Sequence, residues 1–208
     1  MALTNYTFGI KEVADVRFYP TESITYSSTN GTLTTTSDPV LEFTTLKVSN
    51  IEFTAEQADA RGGKGNAKLI SWDHSREITL TLEDALLSVK CLQTLFGSAA
   101  TDNAITIGTS SFPENYAIVG TTFAREQSTG EDRLFTFYVP NAKISSDLTL
   151  TMEADGDPTV FSMTLNVLRA SADDETMIAL IPSAAKYDKT KNDDNGIFTQ
   201  VITKQPGT

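Results

Sequence analysis

The side chains able to do chemistry are few, and their spacing limits what they can do. His74 is the sole histidine and lies in Trp72-Asp73-His74-Ser75, whose composition suggests the acid, base and nucleophile of a hydrolase relay. Adjacent residues of an extended segment point to alternating faces, so these three cannot form the relay themselves, and no G-x-S-x-G elbow is present. The motif reads as a histidine at a turn, with Trp72 as a packing anchor at a strand end. Gly62-Gly63-Lys64-Gly65 has the composition of a phosphate loop but lacks G-x-x-x-x-G-K-[ST] and leads into a strand pattern. It reads as a mobile contact loop whose charges are Arg61, Lys64 and Lys68. The acidic runs Asp155-Gly156-Asp157, Asp173-Asp174-Glu175 and Asn192-Asp193-Asp194-Asn195-Gly196 lack the twelve-residue loop closed by a bidentate glutamate, and read as solvated turns. Cys91 is the only cysteine, which excludes an intrachain disulfide and a Cys₄ zinc site. It falls on the apolar side of a helical pattern and reads as a buried, inert thiol. No residue is assigned a catalytic, cofactor-binding or metal-binding role, and no enzymatic activity or cofactor is expected.

The elements that would position these residues are clearest between Arg61 and Gly97. Ile78, Leu80 and Leu82 alternate with Thr79, Thr81 and Glu83, the pattern of a half-buried strand. From Leu86 the period changes to three and four, through Val89, Leu92, Leu95 and Phe96 to Gly97. That predicts one short helix over about 86–96, ended by a glycine at positive φ.

On the N-terminal side, Ala14–Tyr19 reads as a strand. Asn30-Gly31 between two Thr/Ser-rich runs predicts a hairpin with a type I′ turn. Its low apolar content suggests an arm, about 22–37, that reaches outward for support. Val40–Thr45 and Val48–Ala55 read as further strands, followed by a Gly-rich polar loop over about 56–67. On the C-terminal side, Tyr116–Arg125, Arg133–Val139, Lys143–Glu153 and Pro158–Leu168 are rich in β-branched and aromatic residues and bounded by turn residues. Leu148, Leu150 and Met152 facing Phe161, Met163 and Leu165 is the clearest hairpin. Met177–Ile181 and Ile197–Thr203 are weaker strand candidates in a C-terminal extension, about 171–208. The expected fold is mainly β: an antiparallel β-sandwich or partly closed barrel with one short flanking helix, forming a single domain over 1–208.

Composition bounds the partners. With 39% apolar and 21% charged residues over 208 positions, the chain can bury a sizeable core, and no run is long enough for a membrane helix. The segment MALTNYTFGIKEV shows neither a basic n-region nor an apolar core, so no secretory signal and synthesis ending in a cytosol are expected. A net charge of −11 opposes sequence-specific nucleic-acid binding, which needs clustered Lys and Arg. It is compatible with a surface that nucleic acid passes without sticking.

Two stretches, GGKGNAKLISWDHSREITLTLEDALLSVKCL and YVPNAKISSDLTLTMEADGDPTVFSMTLNVL, and their order resemble the tail tube proteins of long-tailed bacteriophages and of related contractile injection machines. The resemblance covers Arg61 to Leu168. It implies a non-enzymatic virion subunit, assembled in the host cytoplasm, whose hexameric rings stack into a hollow tail tube for genome delivery. Its partners would be itself and the sheath, tape-measure, terminator or baseplate proteins, with DNA passing unbound and no membrane contact. On that reading Arg61, Gly62, Gly63, Lys64, Gly65 and Asn66 form an assembly loop between subunits or rings, and the hairpin at Asn30 and Gly31 forms a second arm. Glu77, Glu83, Glu153 and Asp155 are candidates for an acidic lumen. Two other classes remain open: a head–tail joining or decoration protein, and a carbohydrate-binding sandwich using Trp72, Tyr116 and Tyr138.

Overall fold

The computed structural model describes residues 7–12, 14–84, 86, 88–98, 100–101, 104–145, 161–191 and 197–205. Within them the N-terminal strands are β1 (Phe8–Ile10), β2 (Asp15–Pro20), β3 (Ile24–Ser27), β4 (Thr32–Thr35), β5 (Leu41–Phe43), β6 (Leu46–Gly62) and β7 (Ala67–Asp84). Helix α1 (Val89–Phe96) follows, then β8 (Ala100–Thr101), β9 (Ala104–Ile105), β10 (Asn115–Glu126), β11 (Asp132–Ile144), β12 (Phe161–Leu168), β13 (Ala179–Lys186) and β14 (Ile202–Lys204). The fold is mainly β with one short α-helix among the described residues, and its sheets do not close into a barrel.

The main sheet runs β5-β2-β10-β11-β12-β7-β6, with β1 added to β10 and β13 to β11. All of its ladders are antiparallel. A second sheet, β14-β4-β3, contains one parallel pair, β14 with β4. The period of two explains how one central layer serves two cores. Val16, Phe18, Ile118, Phe137 and Val139 enter a core with Leu80, Leu82, Met163, Leu165 and the helix residues Cys91 and Leu95. Tyr19, Ala117, Val119 and Tyr138 enter the opposite one, with Ile24 and Leu33 of the small sheet and Ile197, Phe198 and Ile202 of the C-terminal segment. Strands β10 and β11 are therefore buried on both faces, as their run of apolar residues and threonines requires. Gly120 is needed between them: a Cβ there would stand 2.1 Å from the ring of Phe137, its cross-strand partner.

The helix is capped at both ends by the residues beside it. The Ser88 hydroxyl accepts from Cys91 N at 3.0 Å, and Gly97, at φ +57°, donates back to Gln93 O. It starts at Val89, not Leu86, and only Cys91, Thr94 and Leu95 are buried on it. Leu86 and Val89 are 66% and 64% exposed, so the apolar stripe read from the sequence meets the core along one turn only.

Other expectations shift in the structure. The hairpin at Asn30 and Gly31 forms, but its turn is the four residues Ser28 to Gly31, and Gly31, at φ +63°, is the only one of them at positive φ. It is therefore not a type I′ turn. Nor does its body project: Ile24 and Leu33 are buried over the main sheet, and β14 adds to its free edge. Arg133–Val139 and the start of Lys143–Glu153 are one continuous strand, β11. The rest of the latter, with Leu148, Leu150, Met152 and the turn at Asp155-Gly156-Asp157, lies outside the described residues. Phe161, Met163 and Leu165 face the core in strict alternation with exposed neighbours. Met177–Ile181 becomes β13, displaced toward Lys186, and the strand expected at Ile197–Thr203 begins as a 3₁₀ turn, Ile197–Gln200.

Candidate assembly surfaces

The most consequential element is one that sequence reading split in two. Strands β6 and β7 pair from Leu46–Asp84 to Gly62–Ala67, and beyond the Phe53–Ile78 pair almost every residue is exposed. The result is a two-stranded arm extending about eight pairs from the body, roughly 25 Å at strand rise. The polar loop expected over 56–67 is mostly strand, because its partners in 67–74 supply a ladder. Only Gly63, Lys64, Gly65 and Asn66 form the turn, with Gly63, Gly65 and Asn66 at positive φ. Arg61 and Gly62 are the last strand residues before it.

The cross-strand register gives the arm two unlike faces. Ala58 pairs with Trp72 and Ala60 with Ile70, while Gln57 pairs with Asp73 and Asp59 with Ser71. Directly paired residues share a face, so one side carries Ala58, Ala60, Ile70 and Trp72 and the other is polar. On the polar side Gln57 donates to Asp73 at 2.9 Å, and Asp59 accepts from Lys68 (2.7 Å), Ser71 (2.9 Å) and Arg61 (3.2 Å). The Lys68 ammonium and Ser71 hydroxyl hold the Asp59 carboxyl below the usual carboxylate range, with Arg61 adding to them. Trp72 and Ile70 stand 53% and 54% exposed. Trp72 is thus no packing anchor within its own chain.

His74, on the Trp72 side, lies 3.3 Å from Glu56. It sits in a strand, not at a turn, and Ser75 next to it, at φ +51°, marks a bulge between the pairs Thr54–Glu77 and Glu56–His74. Asp73, His74 and Ser75 do not form a relay, since Asp73 is held by Gln57 on the other face. Among the described residues, no three His, Cys, Asp or Glu side chains come together as a metal site, and no helix is long and apolar enough to cross a membrane. Burial pushes the Cys91 thiol up to about 12, with Asp84 nearby adding to it, so it is not a nucleophile at neutral pH.

A second surface is the outward face of β12, β7 and β6. Its positions are Ser162, Thr164 and Asn166 on β12, Thr79, Thr81 and Glu83 on β7, and Asn50 and Glu52 on β6, aligned by their pairings. They are hydroxyl, amide and carboxylate groups, with Val48 of β6 exposed opposite Glu83 and Lys143 of the adjoining β11 exposed opposite Asn166. Glu83 is half-buried there and Glu77 is exposed at the arm's base. Glu153 and Asp155 lie outside the described residues. Among the described residues the main run of the sheet ends at the short β5 and the long β6, and β1 and β13 likewise pair on one side only.

A third surface is an apolar mouth where the main sheet curls over its core. Ser49 of β6 accepts from Ala14 N at 3.3 Å, bringing the sheet's far edge back toward the start of β2. Beside this contact opens a cavity of about 620 Å³ lined by Ile10, Ile51, Phe53, Phe135, Phe137 and Leu180, among others.

The sequence carries one signature of the arm. Ala58 and Ala60 alternate with Gln57 and Asp59, and Ile70 and Trp72 with Ser71 and Asp73, symmetrically about Gly63–Asn66. Such mirrored alternation about a Gly/Asn turn marks a hairpin even when β-propensity is low. A family model described as the YomU/Tube protein family matches residues 8–101 and 96–181 of the chain. No curated protein matches it.

Proposed function

The chain belongs to the YomU/Tube protein family, and from that membership we propose that it is a structural subunit of a phage tail tube, self-assembling into stacked hexameric rings around a conduit for the genome. The observation that carries this reading is the arm. A two-stranded ribbon is marginal in water on its own, yet this one extends from the body with Trp72, Ile70 and Leu69 exposed. Such a surface calls for a partner, and an apolar patch on an extension of this length suits contact with a neighbouring subunit.

Two further features support the same reading. The unpaired β5 and β6 edges offer hydrogen-bonding groups that copies arranged about an axis would satisfy mutually, joining sheets into a continuous wall. The outward face of β12, β7 and β6 suits a non-adhesive lumen, because its hydroxyls and the carboxylates of Glu52, Glu77 and Glu83 outweigh the one cation at its border, Lys143, and repel phosphates or leave them unbound. We assign that face to the lumen, with Glu83 and Glu77 among its acids. The turn at Gly63–Asn66 with Arg61 and Gly62 would meet the neighbouring ring. Residues 1–208 would act as a single domain, with sheath, tape-measure, terminator or baseplate proteins as further contacts and no enzymatic activity.

Negative-stain microscopy of the purified protein at rising concentration tests this directly. Hollow stacked rings of six subunits are expected. A chain that stays monomeric at high concentration, with and without other tail components, would sink the proposal. Single unstacked rings would instead favour a head–tail joining role.

A further inference from the structure

Among the described residues nothing covers the arm's apolar face or the apolar mouth, and the two are complementary. We propose that the mouth lined by Ile10, Ile51, Phe53, Phe135 and Leu180 is the receptor for the Trp72 and Ile70 face of a second copy's arm. This rests on the self-association proposed above and assigns it a specific pair of surfaces.

The chain cannot satisfy itself. Phe53, at the root of the arm, lies five residues or about 16 Å of strand from the Ala58–Trp72 pair, with the bulge at Ser75 between them. A paired ribbon bends at a bulge but does not reverse onto its own base. Donor and receptor are also different surfaces present once per chain, so each copy gives one arm and receives one. Such a contact either closes reciprocally in a two-fold pair or propagates head to tail into rings or stacks, and the stacked assembly proposed above requires the second.

The receptor suits an aromatic occupant. Its floor is continuous with the main core, through buried Phe137 and Ala14. Its rim is exposed apolar surface: Ile10, Phe53 and Leu180 are large hydrophobic side chains left in solvent. Trp72 is 53% exposed, so seating its indole there would remove on the order of 100 Å² from water on the donor, about half of what a fully exposed aromatic buries. Charge points the same way. Residues 59–68 carry Arg61, Lys64 and Lys68 against Asp59, which pairs with Lys68 and Arg61, a net of +2, so the remainder of a chain of net −11 carries −13. The cationic tip beyond Trp72 is thereby drawn to the body of another copy. One ribbon face covers far less than the roughly 1,600 Å² of a standard interface, so a lone arm-to-mouth contact is weak and becomes strong only when repeated around a closed assembly.

The test is cross-linking in the full-length protein. A58C and L180C chains are prepared separately, checked by circular dichroism, mixed and treated with a mild oxidant. Ala58 pairs directly with Trp72, so the indole stays in place beside the new thiol. Both positions are exposed, so neither change should disturb folding, and buried Cys91 stays out of the reaction. The expected result is a disulfide dimer in the mixture that is absent from either chain alone, and a ladder of multimers from the A58C/L180C double variant. Homodimers of A58C alone would show arms meeting face to face and would overturn the inference. So would intact tubes lacking the mixed dimer, while leaving tube formation standing. Absence of any wild-type assembly would instead remove the proposed function beneath it.

Discussion

Strands β10–β11 and the outer half of β6–β7 are both antiparallel hairpins of this chain, yet they occupy opposite environments. In the first, side chains on both faces are buried, and Gly120 lets the Phe137 ring lie against the neighbouring backbone. In the second, side chains on both faces are in solvent from Thr54 to Glu77. The body hairpin is held by its surroundings whatever its local propensity. The arm is held by its own ladder, its turn and a few polar pairs, and its apolar face serves a contact outside the chain. Stability should therefore reside in the body and assembly in the arm, and each substitution below either separates those two properties or shows them fused.

The largest effect is expected in the body. Phe18 is fully buried, with its ring 5.6 Å from Phe43 and 5.9 Å from Tyr116. Phe18→Ala should cost about 3–5 kcal/mol in urea unfolding, since surrounding strands cannot collapse into the space. A loss under 1 kcal/mol would mean the two-sided core is not what holds the fold.

A smaller effect separates the faces of that body. Tyr138 donates to Ile24 O at 3.3 Å, bridging the main sheet to the small one, and burial pushes its phenol up to about 12. Because the folded state keeps a proton that the unfolded chain releases from about pH 10, this contribution is complete below that pH and is lost as pH rises toward about 12. Tyr138→Phe should cost about 1 kcal/mol at neutral pH. It should also flatten part of the alkaline decline in urea midpoint, with Tyr19 and Tyr116, likewise raised by burial, accounting for the remainder. An unchanged alkaline limb would remove Tyr138 from the bridge.

How much of this could be read from residues alone follows from the same contrast. Where environment and pattern agree, as in the alternation Phe161, Met163, Leu165 or the cap at Gly97, sequence and structure coincide. The mainly-β fold was legible on that basis, and membership of the tube family through the resemblance carried by two stretches between Arg61 and Leu168. The arm was not, because β6 beyond Thr54 is built from Ala, Glu, Gln and Asp, residues that propensity assigns to loops. Only pairing with Lys68–His74 makes it a strand, and pairing is a property of two segments together. The burial of the Asn30-Gly31 hairpin was hidden for the mirror reason: its cover, β14, lies more than 160 residues away in sequence. Helix α1 misled through Leu86 and Val89, whose period is right and whose face is solvent.

Within the arm, Asp59 gathers Lys68, Ser71 and Arg61, and its carboxyl is held below the usual range. Such a group contributes above the unfolded carboxylate pKa of about 4 and loses its contribution as pH falls through the depressed folded value. Asp59→Asn should leave the urea midpoint of the body unchanged while speeding amide exchange at Ile70 and Ser71. Equal exchange in variant and wild type would show that backbone pairing alone orders the tip.

The smallest expected change in stability belongs to the largest side chain of the arm. A tryptophan buried in a core costs about 3–5 kcal/mol when cut to alanine, but Trp72 is 53% exposed beside Ala58. Trp72→Ala should shift monomer unfolding by no more than about 0.5 kcal/mol. The same substitution should raise the concentration needed for sedimenting assemblies about tenfold or more, as loss of an aromatic anchor at a contact does. If instead the monomer loses several kcal/mol and assembly is untouched, Trp72 packs on its own chain and the division between body and arm fails. A null effect on both would leave the division intact but move the adhesive surface elsewhere on the ribbon, to Leu69 or the cations of the turn.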